Sequence, residues 1–362
     1  MLDSALLFGV WFIIAATVIP LLRHGDWWIR AFEFPRAQIA YLGVALGIAG
    51  WFRLDRNDPV IFYSLLVLAG CLAWQAFRIA RYTPLFPTQM VKRPQAFEHG
   101  DSLRLISANV YQFNRRADAL LELVAERKPD LLLLLETDDW WAGQLEGLHS
   151  EYPYRLQQAQ DDTYGLLLFS RLELIDAEVR FIRREHVPSV RVWLRLPSGR
   201  RVRFYGLHPE PPYPVYADTS RQRDAELLTI AEEISDEPDE PTIVMGDLND
   251  VAWSRTTRLF QRMSGLLDPR IGRFPMNTFP AHLPLLRFPL DHVFLSEHFA
   301  LAAFERLPDI HSDHFPVLCE VRLDRLAEEE QDPPAPENGD EEEVDEVFEE
   351  ANGELEEETA ES

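Results

Sequence analysis

The chain is 362 residues long and carries 35 basic against 60 acidic residues, a formal net charge of −25. The charge is uneven: residues 1–93 hold nine Lys/Arg and five Asp/Glu, residues 94–325 hold 26 and 37, and residues 326–362 hold 18 acidic residues and no basic one. The acidity therefore describes the tail more than the middle of the chain, and two cysteines, Cys71 and Cys319, exclude a disulfide framework and a cysteine-rich zinc site.

Three apolar stretches come first, at 5–22, 37–52 and 60–80. A membrane span needs roughly 20 apolar residues, with tolerance down to about 17. The first and third qualify, and the second, shorter and rich in Gly and Ala, is marginal. Apolar residues surround each stretch instead of lining one face, and Trp27, Trp28, Trp51 and Phe52 flank them as interfacial aromatics do. No basic residue precedes the first stretch and two more follow it, so a cleaved signal peptide is a poor match. With three crossings, Arg23, Arg30, Arg36, Arg78, Arg81, Lys92 and Arg93 share one side, against Arg53 and Arg56 on the other. The positive-inside rule then makes this a multi-pass inner-membrane protein with its remaining chain in the cytoplasm, provided the second stretch crosses.

Residues 83–102 read as a linker between this region (1–82) and a catalytic unit (103–325). A short strand over 104–108 ends at Asn109. Helical spacing over 116–127 stops at Lys128-Pro129-Asp130. The run of five leucines at 131–135 predicts a strand covered on both faces, ending at Glu136. Another apolar run spans 164–169. Residues 190–196 and 201–207 alternate around Pro197-Ser198-Gly199, a hairpin with one wet face that ends at His208. A Pro-rich loop covers 209–214 and a helix 220–234. An apolar strand over 242–245 reaches Gly246-Asp247-Leu248-Asn249-Asp250. A short helix over 253–263, a loop with Arg270 and Arg273, a strand over 290–295 carrying Asp291 and His292, and a last strand over 317–323 behind Asp313-His314 complete the unit. Hairpins mixed with crossovers predict two packed sheets with helices outside. Residues 326–362 have too little apolar surface to offset their ordering entropy and read as a disordered acidic tail.

Polar groups recur at strand ends: Asn109, Glu136, His208, Asp247 with Asn249, and Asp313 with His314. The ordered series Ser-Ala-Asn-Val (107–110), Leu-Glu-Thr (135–137), Leu-His-Pro (207–209), Gly-Asp-Leu-Asn-Asp (246–250), Leu-Asp-His-Val (290–293) and Ser-Asp-His-Phe-Pro-Val (312–317) resembles the endonuclease/exonuclease/phosphatase superfamily over roughly 103–323. That superfamily includes pancreatic-type deoxyribonucleases, apurinic-site endonucleases, sphingomyelinases and inositol-polyphosphate 5-phosphatases. The membrane-attached bacterial branch is the nearest resemblance, with Tyr82-Thr83-Pro84-Leu85 following the spans.

The resemblance implies an α/β fold, a four-layer sandwich of two mixed sheets flanked by helices, with its site at the sheet ends. It makes Glu136 the main Mg²⁺ ligand (Mn²⁺ as an alternative), with Asn109 beside it and Asp313 at the metal side. Asp247 orients or deprotonates the attacking water, and Asn249 holds phosphate or metal. His314 donates to the phosphate with Asp291 fixing its tautomer, and His208 contacts the scissile phosphate or assists the leaving oxygen. Arg270 and Arg273 lie where a phosphate could be gripped. Two departures bear on substrate contact: Pro289-Leu290 before Asp291, where relatives often have Arg or Asn, and Thr278-Phe279, where Trp often follows Thr. No Gly-x-Ser-x-Gly occurs, which argues against a Ser-His-Asp hydrolase.

These features point to a membrane-anchored, Mg²⁺-dependent hydrolase of phosphate esters, first a phosphodiesterase or nuclease. A phospholipid or inositol-phosphate headgroup hydrolase is the alternative, and a non-catalytic membrane scaffold the contrasting class. The expected partners are a nucleic-acid or lipid-headgroup phosphate ester and the lipid bilayer, with no protein partner.

Overall fold

A computed structural model describes residues 1–22, 24–93, 101–212 and 218–361. Arg23, residues 94–100 of the expected linker and residues 213–214 of the Pro-rich loop lie outside the described residues.

The N-terminal region holds helices α1 (Leu2–Val18), α2 (Trp27–Arg30), α3 (Arg36–Arg53) and α4 (Pro59–Ala80). α1, continued by a 3-10 turn to Leu21, and α4 are long and apolar enough to cross a membrane. α3 packs against both, and its small residues make that possible. A Cβ on Gly43 would sit 2.8 Å from Leu72 and 3.0 Å from Ile13, so glycine here lets three helices approach closely. The Gly/Ala content that makes this stretch look weak as a span is what packs it. Asp58 caps α4 by accepting from Val60 N at 2.8 Å.

The catalytic unit contains β1 (Ser102–Asn109), α5 (Ala117–Arg127), β2 (Leu131–Leu135), α6 (Asp139–Gln144), β3 (Tyr154–Gln158), β4 (Leu166–Ser170), β5 (Glu173–Arg180), β6 (Ser189–Arg195), β7 (Arg201–Leu207), α7 (Arg221–Ser235), β8 (Thr242–Asp247), α8 (Arg255–Ser264), β9 (Asp291–Leu295), β10 (Phe299–Arg306) and β11 (Val317–Leu323). They form a six-stranded sheet, β10-β11-β1-β2-β4-β3, and a five-stranded sheet, β5-β6-β7-β8-β9. The period of two divides each buried strand between two cores. Leu131, Leu133, Leu135, Ile243, Met245, Val293 and Leu295 meet between the sheets. Leu132, Leu134 and Ile106 face outward onto Leu120, Leu123 and Trp141 beneath α5 and α6. Val244 and Phe294 face Leu227, Ile230 and Phe260 of α7 and α8. Two mixed sheets flanked by helices result. Strands β3, β5 and β10, which the pattern of the sequence does not reveal, are all sheet edges; β3 and β5 are half-wet and short of apolar alternation.

The expected linker is not free. Met90 joins the inter-sheet core, Arg93 N donates to Leu301 O at 2.8 Å and Leu301 N to Val91 O at 2.9 Å, so this stretch lies alongside β10. The helical region is bound as firmly: Arg30 pairs with Asp224 at 2.8 Å, Trp253 Nε1 donates to Glu33 O at 2.8 Å, and Tyr82 packs on Trp253 with ring centroids 6.0 Å apart.

The expected disorder of 326–362 gives way to two helices, α9 (Arg325–Glu330) and α10 (Asp340–Glu361). Val344, Val347 and Phe348 of α10 pack on Leu228 and Leu259. Its acids meet a row of arginines: Asp340 takes Arg262 at 2.6 Å, Glu350 takes Arg221 at 3.3 Å, and Glu358 takes Arg184. Composition alone misses this because the neutralising partners lie far upstream. Removing residues 340–361 should lower the thermal midpoint by several degrees, since burial of each large apolar side chain contributes about 1.5–3 kcal/mol. An unchanged midpoint in scanning fluorimetry would mean α10 does not dock.

Candidate active site

The site forms because two kinds of strand end converge. β1 and β2 are parallel, as are β7 and β8, so Asn109, Glu136, His208 and Asp247 emerge at C-terminal ends. β9 and β11 run antiparallel to their neighbours, so Asp291 and the turn before β11 bring N-terminal ends to the same edge. Gly246 makes the approach possible: at φ 151°, a Cβ there would sit 1.9 Å from Leu207 O. Glu136 and Asn249 hold left-handed backbone at φ 59° and 51°, strain that concentrates at functional positions.

Asp247 is buried, and its Oδ2 is the meeting point. Asn109 Nδ2 donates to it at 3.2 Å, His314 Nε2 lies at 3.4 Å, and His208 Nε2 at 4.0 Å. Its Oδ1 accepts from Asn249 N at 3.0 Å. His314 Nδ1 pairs with Asp291 Oδ2 at 2.9 Å. Burial works against a charged imidazole, but Asp247 and Asp291 on either side outweigh it and raise the His314 pKa to about 10. At His208 burial outweighs the pull of Asp247, and His314 adds to it, so that imidazole is pushed below the usual histidine range. Ser312 Oγ donates to Asn109 O at 2.8 Å, tying the His314 turn to β1.

Glu136 sits on the other flank. Its oxygens accept from Asn109 Nδ2 at 2.7 Å and Gln112 N at 3.3 Å. Burial pushes its carboxyl up to about 7, and Asp313 pushes it in the same direction. A cavity of about 560 Å³ opens over Glu136, His208, Asp247, Asn249, Asp313 and His314. No Lys or Arg lines it among the described residues. Asp247, Asp291 and His314 also bring ligand atoms within 4.8 Å of one another, but these are already paired through the imidazole. The uncompensated charge is on Glu136 and Asp313, and a hard cation with oxygen donors fits it. Asn109 offers its N–H to Glu136, while its own oxygen accepts from Tyr111 N at 3.0 Å. As placed, it holds the Glu136 carboxylate.

The two loop arginines are elsewhere. Arg270 is fully buried, bound through Nε and Nη2 to Asp268 at 2.8 Å and by Nη2 to His292 Nδ1 at 2.7 Å. Arg273 donates to Pro269 O and Met90 O. Both are held by the core and the connector and do not line the cavity, so their expected grip on phosphate is corrected. The sequence reading missed the aromatic lining: Tyr111, Phe113, Tyr164, Phe279 and Phe34. Phe279 packs on His314 with ring centroids 4.6 Å apart. The only advance signal was the pair of departures, since Phe279 and Leu290 both line the cavity.

His314 has its pKa raised by folding, so its contribution is complete below the unfolded value near 6.5 and is lost as pH rises toward about 10. In chelator, the thermal midpoint should fall from pH 7 to pH 10, and His314→Gln should flatten that decline. A variant declining as steeply as the parent chain would contradict the charged imidazole.

A family model described as the endonuclease/exonuclease/phosphatase family matches residues 106–314, more than half of the chain. No curated protein matches by sequence. Among solved structures, the human Nocturnin catalytic domain with bound sulfate is 17% identical, covering 64% of this chain and 99% of that one at a TM-score of 0.50. A humanized D. rerio TDP2 is 16% identical (62% and 100% covered, TM-score 0.49). An endonuclease/exonuclease/phosphatase from Beutenbergia cavernae is 17% identical (62% and 72% covered, TM-score 0.49). By the extent of the family match, this chain belongs to the endonuclease/exonuclease/phosphatase family and is a metal-dependent phosphoric ester hydrolase.

Proposed function

We propose that the protein is a membrane-attached phosphodiesterase acting on phosphodiesters that carry an apolar group beside the phosphate, with phospholipid headgroup diesters as the substrate class. The observation that carries this reading is Phe34. It belongs to the segment between α2 and α3, yet it lines the catalytic cavity and packs on Phe288 with centroids 5.8 Å apart. Leu290 and Phe279 extend the same apolar wall. A nucleic-acid backbone calls for Lys or Arg along its path, and the lining has none. The exposed Tyr111–Phe113 pair, with centroids 5.6 Å apart at the same cavity, favours single-stranded nucleic acid as the second reading, because aromatic faces stack on bases.

Membrane attachment draws support from which ends meet the catalytic unit. Both the segment after α1 and the one after α4 dock on it, through Arg30 with Asp224 and Tyr82 with Trp253. Arg53 and Asp3 pair at the other end, 3.2 Å apart. Three antiparallel crossings give this arrangement, and the basic count then places the catalytic unit in the cytoplasm.

In the proposed chemistry, Glu136 and Asp313 hold a divalent cation, Mg²⁺ by the hardness of the donors and Mn²⁺ as a substitute. When bound, that cation polarises the phosphoryl oxygens. Asp247 orients and deprotonates the attacking water, and Asn249 fixes the phosphate. His314, kept protonated by its two carboxylates, donates to the phosphoryl oxygen as charge builds. His208, neutral and 4.0 Å from Asp247, faces the leaving oxygen.

The test is the full chain with Mg²⁺ assayed on a short-chain phospholipid, single-stranded DNA and a small generic phosphodiester. Asp247→Ala should lower kcat by about 10²–10⁴-fold on every substrate. Phe34→Ala should raise KM for the lipid several-fold and leave the small diester unchanged. DNA preferred over lipid, with Phe34→Ala without effect, would replace the first reading with the second. A tag fused after Ser362 should resist protease in intact spheroplasts, and digestion from outside would reverse the orientation.

A further inference from the structure

One residue beyond α4, the chain concentrates positive charge that it does not neutralise. Arg36, Arg78, Arg81 and Arg258 converge there, and among the described residues none of them forms an ion pair with a carboxylate. Arg36 donates to Gln75 Oε1 at 2.7 Å, Arg78 to Trp253 O, and Arg258 to Ser254 O at 3.1 Å. These are neutral acceptors. Glu33, beside Arg36 and Arg78, already takes Arg30 at 3.2 Å, and Asp340, near Arg258, already takes Arg262. The Nε of Arg81 is buried without a partner, and its guanidinium rests over the Phe86 ring at 5.8 Å. In a chain of net charge −25, an uncompensated cationic cluster is conspicuous, because like charges brought together out of water are costly unless an anion joins them.

The cluster opens into a cavity. Arg81, Arg258, Gln261 and Arg262 line a space of about 190 Å³ closed by the segment 334–337, which leads into α10. It shares no lining residue with the catalytic cavity. Arg262 is already satisfied by two bonds to Asp340, at 2.6 and 2.7 Å, and Glu337 is exposed at the rim. Arg81 and Arg258 are therefore the cations left to face an incoming ligand. Burial, reinforced by Arg78 and Arg262, lowers the Arg258 pKa to about 10, the direction expected of a cation that lacks its counter-charge.

We propose that this cavity binds a phosphate group, with the guanidinium groups of Arg81 and Arg258 as its two ligands. Planar guanidinium forks match phosphate oxygens in pairs. Two sources supply that chemistry: the headgroup of an anionic lipid at the end of α4, or free inorganic phosphate. The lipid source rests on the membrane reading above, whereas the site itself does not. A bound phosphate would join α4, α8 and the segment 334–337 at one point.

The test uses the full chain in detergent with chelator, so that the catalytic cavity holds no divalent cation. Binding is read as a shift of thermal midpoint on titration with dioctanoyl phosphatidic acid, dioctanoyl phosphatidylcholine and inorganic phosphate. Phosphatidic acid should bind and phosphatidylcholine should not. Arg81→Gln and Arg258→Gln should each weaken binding about tenfold or more, while Arg195→Gln, on the far hairpin, should not. Hydrolysis of a small phosphodiester by each variant reports folding, and if Arg258→Gln is unfolded, Arg81→Gln alone decides. Equal affinity for inorganic phosphate, still lost in the variants, supports the site and assigns it to free phosphate. Unchanged binding in a folded Arg81→Gln overturns the proposal. Solubility without detergent together with arginine-dependent phosphate binding would end the membrane reading and leave the site standing.

Discussion

The hydrogen bond from Asn109 to Asp247 joins the two sheets beside the cavity proposed as the active site. Asn109 ends β1 in one sheet and Asp247 ends β8 in the other. Around that contact the remaining groups fall into a line, with Glu136 on the far side of Asn109 and the His314–Asp291 pair on the far side of Asp247. The sandwich can hold this line because the inward-facing leucines, valines and phenylalanines of both sheets pack into one inter-sheet core, which fixes the separation of the sheets to the precision of packed side chains. The site is in this sense a property of the whole core.

The same contact explains the division of charge. His314 lies between two carboxylates and offsets part of their charge, so the Asp247 flank carries a cation of its own. Among the described residues, no Lys or Arg lines the cavity to pair with Glu136 and Asp313. One edge of the cavity therefore holds a charged imidazole and the other a pair of carboxylates, the division that the proposed chemistry uses. That polarity follows from which strands end in acids and which in amides or imidazoles.

Much of this was legible because buried strands are continuous apolar runs and their ends are marked by the first polar residue: 131–135 before Glu136 and 242–245 before Asp247 read without ambiguity. Edge strands are poorly legible for the opposite reason. β3, with Tyr154 and Arg155 exposed, carries no apolar face to read. Arg270 illustrates a different limit: an arginine in a loop looks like a phosphate grip until the acid that neutralises it, Asp268 two residues earlier, is seen to share its burial. The tail illustrates a third. Its order depends on arginines on α7, α8 and the loop after β5, which no local window on 340–361 contains.

The docking of the helical region has a geometric consequence. A catalytic unit on a flexible leash samples a volume set by the length of the leash. Here Arg30, Trp253 and Tyr82 fasten the unit directly to the helices. The cavity therefore has one height and one tilt relative to the helix axes. Any target has to come to a stationary opening, and lengthening the chain elsewhere would not widen that reach.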